Sequence, residues 1–235
     1  MTINSHESRP SVRRRLLVVA VFAVAMAWVE AAVVFYLRRM ADRIDPYQSN
    51  PLSLADDIGR AEVIREAATV VMLLAVAWLA GRTWRARFGF FAAAFGAWDL
   101  FYYVFLVPLT GWPRSLLDWD ILFLIPLPWW GPVLAPVVIA LLMIVGGVVL
   151  TYNDECTGPP LWPARWAIGL SAMGAGLALD VFMADAIRAV LQGQPAQHVL
   201  PQTFNWPLFL VAWALMAVPA VDLLRQFLGR RRPAP

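Results

Sequence analysis

Long apolar runs separated by short polar segments dominate the chain. A run of about 20 residues crosses the roughly 30 Å hydrocarbon core of a bilayer as an α-helix. The pattern therefore predicts an all-α, polytopic helical membrane protein of about six transmembrane helices, folded as a single transmembrane domain with short basic tails at 1–14 and 226–235. The predicted spans are 16–37, 63–80, 88–107, 133–150, 163–186 and 206–224.

The connection between the third and fourth spans has an unusual composition. Between Pro108 and Pro132 it holds five prolines and four tryptophans. Tryptophan at this density is typical of a membrane interface. The apolar run Ile121–Leu127 is too short to span. It predicts an interfacial helix or a re-entrant half-helix, and we favour the interfacial helix.

Arginine placement predicts the orientation, because short cytoplasmic loops retain positive charge. Twelve of the 19 arginines fall on the side of the N-terminus and seven on the other. We therefore expect both termini in the cytoplasm and the chain in a bacterial inner (plasma) membrane. The basic start followed by Leu16–Val24 also has the outline of a cleavable signal, but the apolar run continues to Leu37, which favours an uncleaved helix.

Composition excludes several kinds of chemistry. With 60% apolar and 15% charged residues, no room is left for a soluble catalytic domain. All basic residues are arginine, which excludes retinal or pyridoxal Schiff bases and a P-loop lysine. With only two histidines and the single Cys156, histidine-rich diiron sites, the usual zinc sites and an internal disulfide are excluded. We expect no cofactor, no nucleic-acid partner and, on balance, no enzyme.

The membrane-embedded acids share one depth. Glu30, Glu66, Asp99 and Asp180 lie near the same membrane surface, because successive helices alternate in direction. At 1.5 Å per residue they are expected roughly 5 to 12 Å below it. We predict that they bind a cation or proton, whereas the presence of a metal is left open. The expected supporting residues are Glu62, Arg65, Tyr102, Tyr103, Asp118 and Asp120.

The alternative for these acids is an architectural role. Buried acid–arginine or acid–tyrosine pairs often only fix helix packing, and acids near helix ends can reach the headgroups. For Glu62, Glu66, Asp185 and Asp222 taken singly, we favour this architectural interpretation. For Glu30 and Asp99, the deeper pair, we favour function.

Four stretches carry a family resemblance. They are Glu30–Arg38, Arg65–Thr69, Trp98–Tyr103 and the residues from Gly111–Pro113 through Asp118–Pro126. In these stretches the chain resembles bacterial multi-pass membrane proteins of no established function. The resemblance covers most of the chain from the first span to the fourth. It implies a polytopic fold and no activity, substrate or cofactor.

Three functions compete at this point. The first is a small transporter-like protein with an outward-facing, carboxylate-lined cavity for a cation or proton. The second is a non-enzymatic subunit or assembly factor that meets a membrane-protein partner within the bilayer. The third is an intramembrane, metal-dependent enzyme acting on a lipid headgroup, with phosphate bound by Arg38, Arg39, Arg65 or Arg114.

Overall fold

A computed structural model describes residues 11–40, 42, 44–48, 57–156, 162–196 and 200–230. Within these residues the chain forms six α-helices and one two-stranded antiparallel sheet. In chain order the elements are α1 (Val12–Met40), α2 (Asp57–Ala80), α3 (Trp84–Thr110), β1 (Trp119–Phe123), β2 (Trp129–Pro132), α4 (Leu134–Cys156), α5 (Arg165–Leu191) and α6 (Trp206–Arg230).

All six helices of the described chain are long and apolar enough to cross a membrane, as the hydrophobic pattern predicts. Most extend beyond the apolar runs, because flanking polar residues continue the helical hydrogen bonding at the membrane surface. Residues 12–14 and 226–230 of the expected basic tails belong to α1 and α6. Residues 1–10 and 231–235 lie outside the described part of the chain.

Helix α3 packs against α1, α2 and α4, and it approaches α4 most closely. Gly89 of α3 faces Gly147 and Thr151 of α4. A Cβ atom on Gly147 would lie 2.5 Å from the Gly89 carbonyl oxygen and 2.6 Å from the Ala93 nitrogen. Glycine at these positions therefore allows the two backbones to touch, as small residues do in membrane helix pairs.

The connection between α3 and α4 differs from the sequence expectation. Instead of a helix at Ile121–Leu127, β1 and β2 form an antiparallel hairpin that pairs Asp120 with Gly131. Pro126 and Pro128 lie in the turn between the strands, and prolines there would have interrupted a helix. The strand pairing gives the backbone groups of β1 and β2 hydrogen-bond partners within the protein.

Aromatic side chains fix the hairpin between the two halves of the helical bundle. On one side the Phe123 ring lies 6.2 Å from Phe95 of α3, centroid to centroid. On the other side the Trp129 ring is stacked on Phe182 of α5 at 6.5 Å. The hairpin is thus held in place, and β1 faces helices α1, α2 and α3.

Candidate functional site

A small cavity of about 100 Å³ lies between α1, α2, α3 and β1. Each of these four elements contributes charged or phenolic side chains to its wall. They are Glu30 and Arg38 from α1, Glu62, Arg65 and Glu66 from α2, Asp99, Tyr102 and Tyr103 from α3, and Asp120 from β1. The structure therefore brings together eight of the ten residues that the sequence predicts for the site and its support.

The helices place three of these acids at the same level. Glu30 lies ten residues before the end of α1, Glu66 nine after the start of α2, and Asp99 eleven before the end of α3. At 1.5 Å per residue these positions are about 14 to 17 Å from the ends of their helices on one side. Neighbouring antiparallel helices thus place carboxylates opposite one another.

Arg65 joins two of the carboxylates. Its guanidinium donates hydrogen bonds to both Glu62 and Glu30, and the Nε–Oε2 distance to Glu62 is 2.9 Å. Thr69 lies one turn further along α2 and donates from its hydroxyl to the other oxygen of Glu30, at 3.2 Å. The ion pair connects α1 to α2.

Arg38 and Tyr103 hold Asp120 of the hairpin. Arg38 Nη2 donates to Asp120 Oδ1 at 3.1 Å, and the Tyr103 hydroxyl donates to Oδ2 at 3.2 Å. The Arg38 guanidinium also lies 4.3 Å from the centroid of the Trp112 ring. Asp120 is only 1% exposed. Burial raises the pKa of the Asp120 carboxyl to about 6, although the Arg38 charge acts in the opposite direction.

Glu66 holds the hairpin through its backbone. The Leu124 amide N–H donates to Glu66 Oε2 at 3.0 Å. Leu124 follows the last residue of β1, so this N–H lies outside the pairing with β2. The carboxylate thus acts as the acceptor for a backbone donor at the end of the strand.

Asp99 differs from the other four carboxylates. It lines the cavity, yet among the described residues no donor forms a hydrogen bond with its oxygens. The negative charge that acts on it most strongly is Asp120. Its neighbour Trp98, 6% exposed, also lines the cavity, and the buried Trp98 Nε1 has no hydrogen-bond partner within the described chain.

The charges of the cavity do not balance. Among its described lining residues are five carboxylates and two guanidinium groups. With all of them ionised, the small cavity would hold a formal excess of three negative charges. Such an excess at membrane depth requires protons, a cation or water to compensate it.

Two predicted residues lie elsewhere. Asp180 is at the same level on α5, eleven residues before its end, but it is exposed and lines a different pocket with Asp185 and Arg188. Asp185 is paired with Arg188 at 3.0 Å. Asp118 accepts hydrogen bonds from the backbone N–H groups of Arg114 and Ser115 and so shapes the turn before β1.

Other contacts of the site were not predicted. Arg38, considered from the sequence as a phosphate ligand, is buried, with 8% exposure. Thr69 could have been found from its spacing, because it lies four residues after Arg65 on the same helix face. The Leu124 N–H belongs to the backbone, and no residue pattern marks it. Asp222, expected to be architectural, accepts from the Ala164 N–H at 2.8 Å at the start of α5.

The acids do not form a metal centre of the usual kind. Across residues 11–40, 42, 44–48, 57–156, 162–196 and 200–230, no three His, Cys, Asp or Glu side chains are grouped so that they could hold a metal ion. The carboxylates line one cavity but are divided among separate hydrogen-bond partners. The carboxylates are therefore arranged as separate groups rather than as the ligands of one metal ion.

Comparison with known proteins identifies no relative of this chain. No protein-family model, no characterised protein and no solved structure matches the chain. The resemblance to bacterial multi-pass membrane proteins stays a prediction.

Proposed function

We propose that this chain is a small, transporter-like membrane protein that takes up a cation or proton in its carboxylate-lined cavity. The observation that carries the proposal is the unbalanced set of five carboxylates and two arginines around one cavity. On insertion scales an ionised acid near the centre of a membrane helix costs about 2.5 to 3.5 kcal/mol. If the acids served only to fix helix packing, each would be expected to have a partner. This cavity instead contains more acids than arginines.

The proposed orientation of the chain places the cavity nearer the outer surface of the membrane. The arginine distribution favours an orientation with both termini in the cytoplasm. The C-terminal end of α1 and the N-terminal end of α2 would then face outward, together with the hairpin. In a bacterial inner membrane the cavity would lie in the half of the bilayer nearer the periplasm.

The geometry gives less support to a lipid-headgroup enzyme. A phosphate would have to compete with the carboxylates that already pair with Arg38 and Arg65. Arg38 is bound to Asp120, and Arg65 to Glu30 and Glu62. The cavity of about 100 Å³ is also small for a headgroup.

A subunit role also gains less support from the cavity. A carboxylate that meets a charged partner protein would be expected on the outer surface of the bundle. Glu30 and Glu66 are instead buried, with 8% and 9% exposure, and their partners belong to this chain.

The experiment is reconstitution of the purified chain into vesicles. Uptake of protons, Na⁺, Rb⁺ and Mg²⁺ is measured for the wild type and for Glu30→Gln and Asp99→Asn. We expect a flux of at least one of these ions that falls to the level of empty vesicles in the amide variants. Asp180→Asn is the matched control, because Asp180 has the same level in the helix but lines another pocket. Absence of flux in the wild type, or full flux in both amide variants, would contradict the proposal.

A further inference from the structure

The hydrogen bonds of the cavity single out Asp99. Glu30, Glu62, Glu66 and Asp120 each accept at least one hydrogen bond. Asp99 accepts none from the part of the chain that the structure describes. Asp99 is thus the carboxylate of the cavity with both oxygens available to a ligand.

Trp98 gives a second, independent indication. Trp98 lines the cavity, and its buried Nε1–H lacks an acceptor among the described residues. Buried donors are normally satisfied, by water where protein atoms do not serve. A metal ion cannot accept this hydrogen bond, whereas a water molecule can. The unpartnered Nε1–H of Trp98 is therefore best satisfied by a water molecule in the cavity. Such a water molecule can also deliver a proton to a carboxylate.

The ligand set also favours a proton over a metal ion. Mg²⁺ and Ca²⁺ require six or more oxygen ligands around one point. Within the described residues, the acids do not gather in threes in this way. A proton requires one carboxylate oxygen and a donor, and Asp99 with cavity water would supply both.

We infer, on the basis of the proposed function, that the cavity exchanges protons and that Asp99 is the carboxylate that carries the proton. In the loading step an O–H bond forms at Asp99 Oδ as an O–H bond of a hydronium ion breaks, which leaves a water molecule and a neutral carboxyl group. Loading removes the repulsion between Asp99 and Asp120. Release reverses the step.

Two of the five carboxylates described around the cavity, Asp99 and Glu66, have no arginine partner. The charged and titratable groups around the cavity are Glu30 and Arg38 of α1, Glu62, Arg65 and Glu66 of α2, Tyr102 and Tyr103 of α3, and Asp120 of β1. Both arginines in this set are bonded to carboxylates other than Asp99. Asp99 and Glu66 therefore have no countercharge, and since Glu66 accepts the Leu124 N–H, Asp99 is the one left without any partner in the described chain and is neutralised by the proton.

An infrared titration of the purified full-length protein tests the assignment directly. The carbonyl stretch of protonated carboxyl groups is followed as a function of pH in the wild type, Asp99→Asn, Asp99→Glu and Asp180→Asn. We expect one titrating band to be lost in Asp99→Asn and to remain in Asp180→Asn. Asp99→Glu restores a carboxyl group and is expected to restore a band. An unchanged spectrum in Asp99→Asn would overturn the assignment to Asp99.

Flux measurements separate this inference from the proposed function. Vesicles with an internal pH dye and a potassium diffusion potential report proton uptake, and radioactive sodium and rubidium report metal-ion uptake. Proton uptake that is lost in Asp99→Asn supports the inference. Uptake of sodium or rubidium without proton movement overturns the inference and leaves the proposed function standing. No flux of any ion overturns both.

Discussion

Arg38 of α1 and Asp120 of β1 lie 82 residues apart in the chain and are joined by a buried hydrogen bond of 3.1 Å. With Tyr103 as the second donor, this pair ties the hairpin to α1 and α3. Removing one partner of a buried ion pair leaves an uncompensated charge, which typically costs about 3 to 5 kcal/mol.

The first prediction concerns this pair. Asp120→Ala is expected to destabilise the protein by about 3 kcal/mol, because Arg38 then remains buried without its carboxylate. The double variant Arg38→Met/Asp120→Leu should recover much of the loss. Thermal unfolding in detergent, followed by tryptophan fluorescence, measures both effects. A single variant as stable as the wild type would contradict a role for Asp120 in compensating Arg38.

The second prediction concerns pH. The pKa of Asp120 is about 6 in the folded chain, above the value of about 4 for an exposed aspartate. The folded state therefore binds this proton more tightly than the unfolded state. The contribution of Asp120 to stability should be fully present below about pH 4, decrease as the pH rises to about 6, and be constant above that, with a total change of about 3 kcal/mol.

The measurement compares the wild type with Asp120→Asn, which does not titrate at this position. The difference in unfolding free energy between the two proteins should shift against the wild type between about pH 4 and about pH 6. A difference independent of pH would show that the pKa of Asp120 is the same in the folded and unfolded states.

The third prediction concerns the hydrogen bond between Glu66 and the Leu124 N–H. Glu66→Leu removes the acceptor, so amide hydrogen exchange in residues 119–124 should become faster. Glu66→Gln keeps a side-chain oxygen in the same place and should leave the exchange close to that of the wild type. Mass spectrometry of the exchanged protein resolves the two variants. Equal protection in both would indicate that aromatic packing alone holds the hairpin.

The fourth prediction concerns the contact of α3 with α4. Gly147→Ala would place a Cβ atom 2.5 Å from the Gly89 carbonyl oxygen, whereas at Gly146 the nearest atom, Ala220 Cβ, is 3.8 Å away. Gly147→Ala should therefore lower stability by about 1 to 3 kcal/mol, and Gly146→Ala should not. Thermal unfolding of these two adjacent variants tests the close approach. Equal midpoints would mean that the helices are further apart than described.

The sequence predicts the helices well because each span is a long apolar run. It also predicts the shared level of the acids, since level depends only on the helix ends and on alternating direction. Local capping is predictable too. Asn205 is a favourable capping residue directly before α6, and its side chain accepts a hydrogen bond from the Leu208 N–H at 3.2 Å.

The sequence does not predict the direction in which each acidic side chain points from its helix. Asp180 shares its level with Asp99, yet it faces another pocket because the packing of α5 against α6 sets its direction. The hairpin was also missed, because the short apolar run Ile121–Leu127 fits a strand, a buried helix or an interfacial helix equally well. Its partner β2 could be identified only in three dimensions.

Asp99 is proposed to take up a proton, whereas Asp180 lines a different pocket. The most direct measurement is proton uptake into vesicles that contain the wild type, Asp99→Asn or Asp180→Asn, each checked for equal incorporation and helix content. We expect uptake by the wild type and by Asp180→Asn and none by Asp99→Asn. Equal uptake by all three proteins would contradict it.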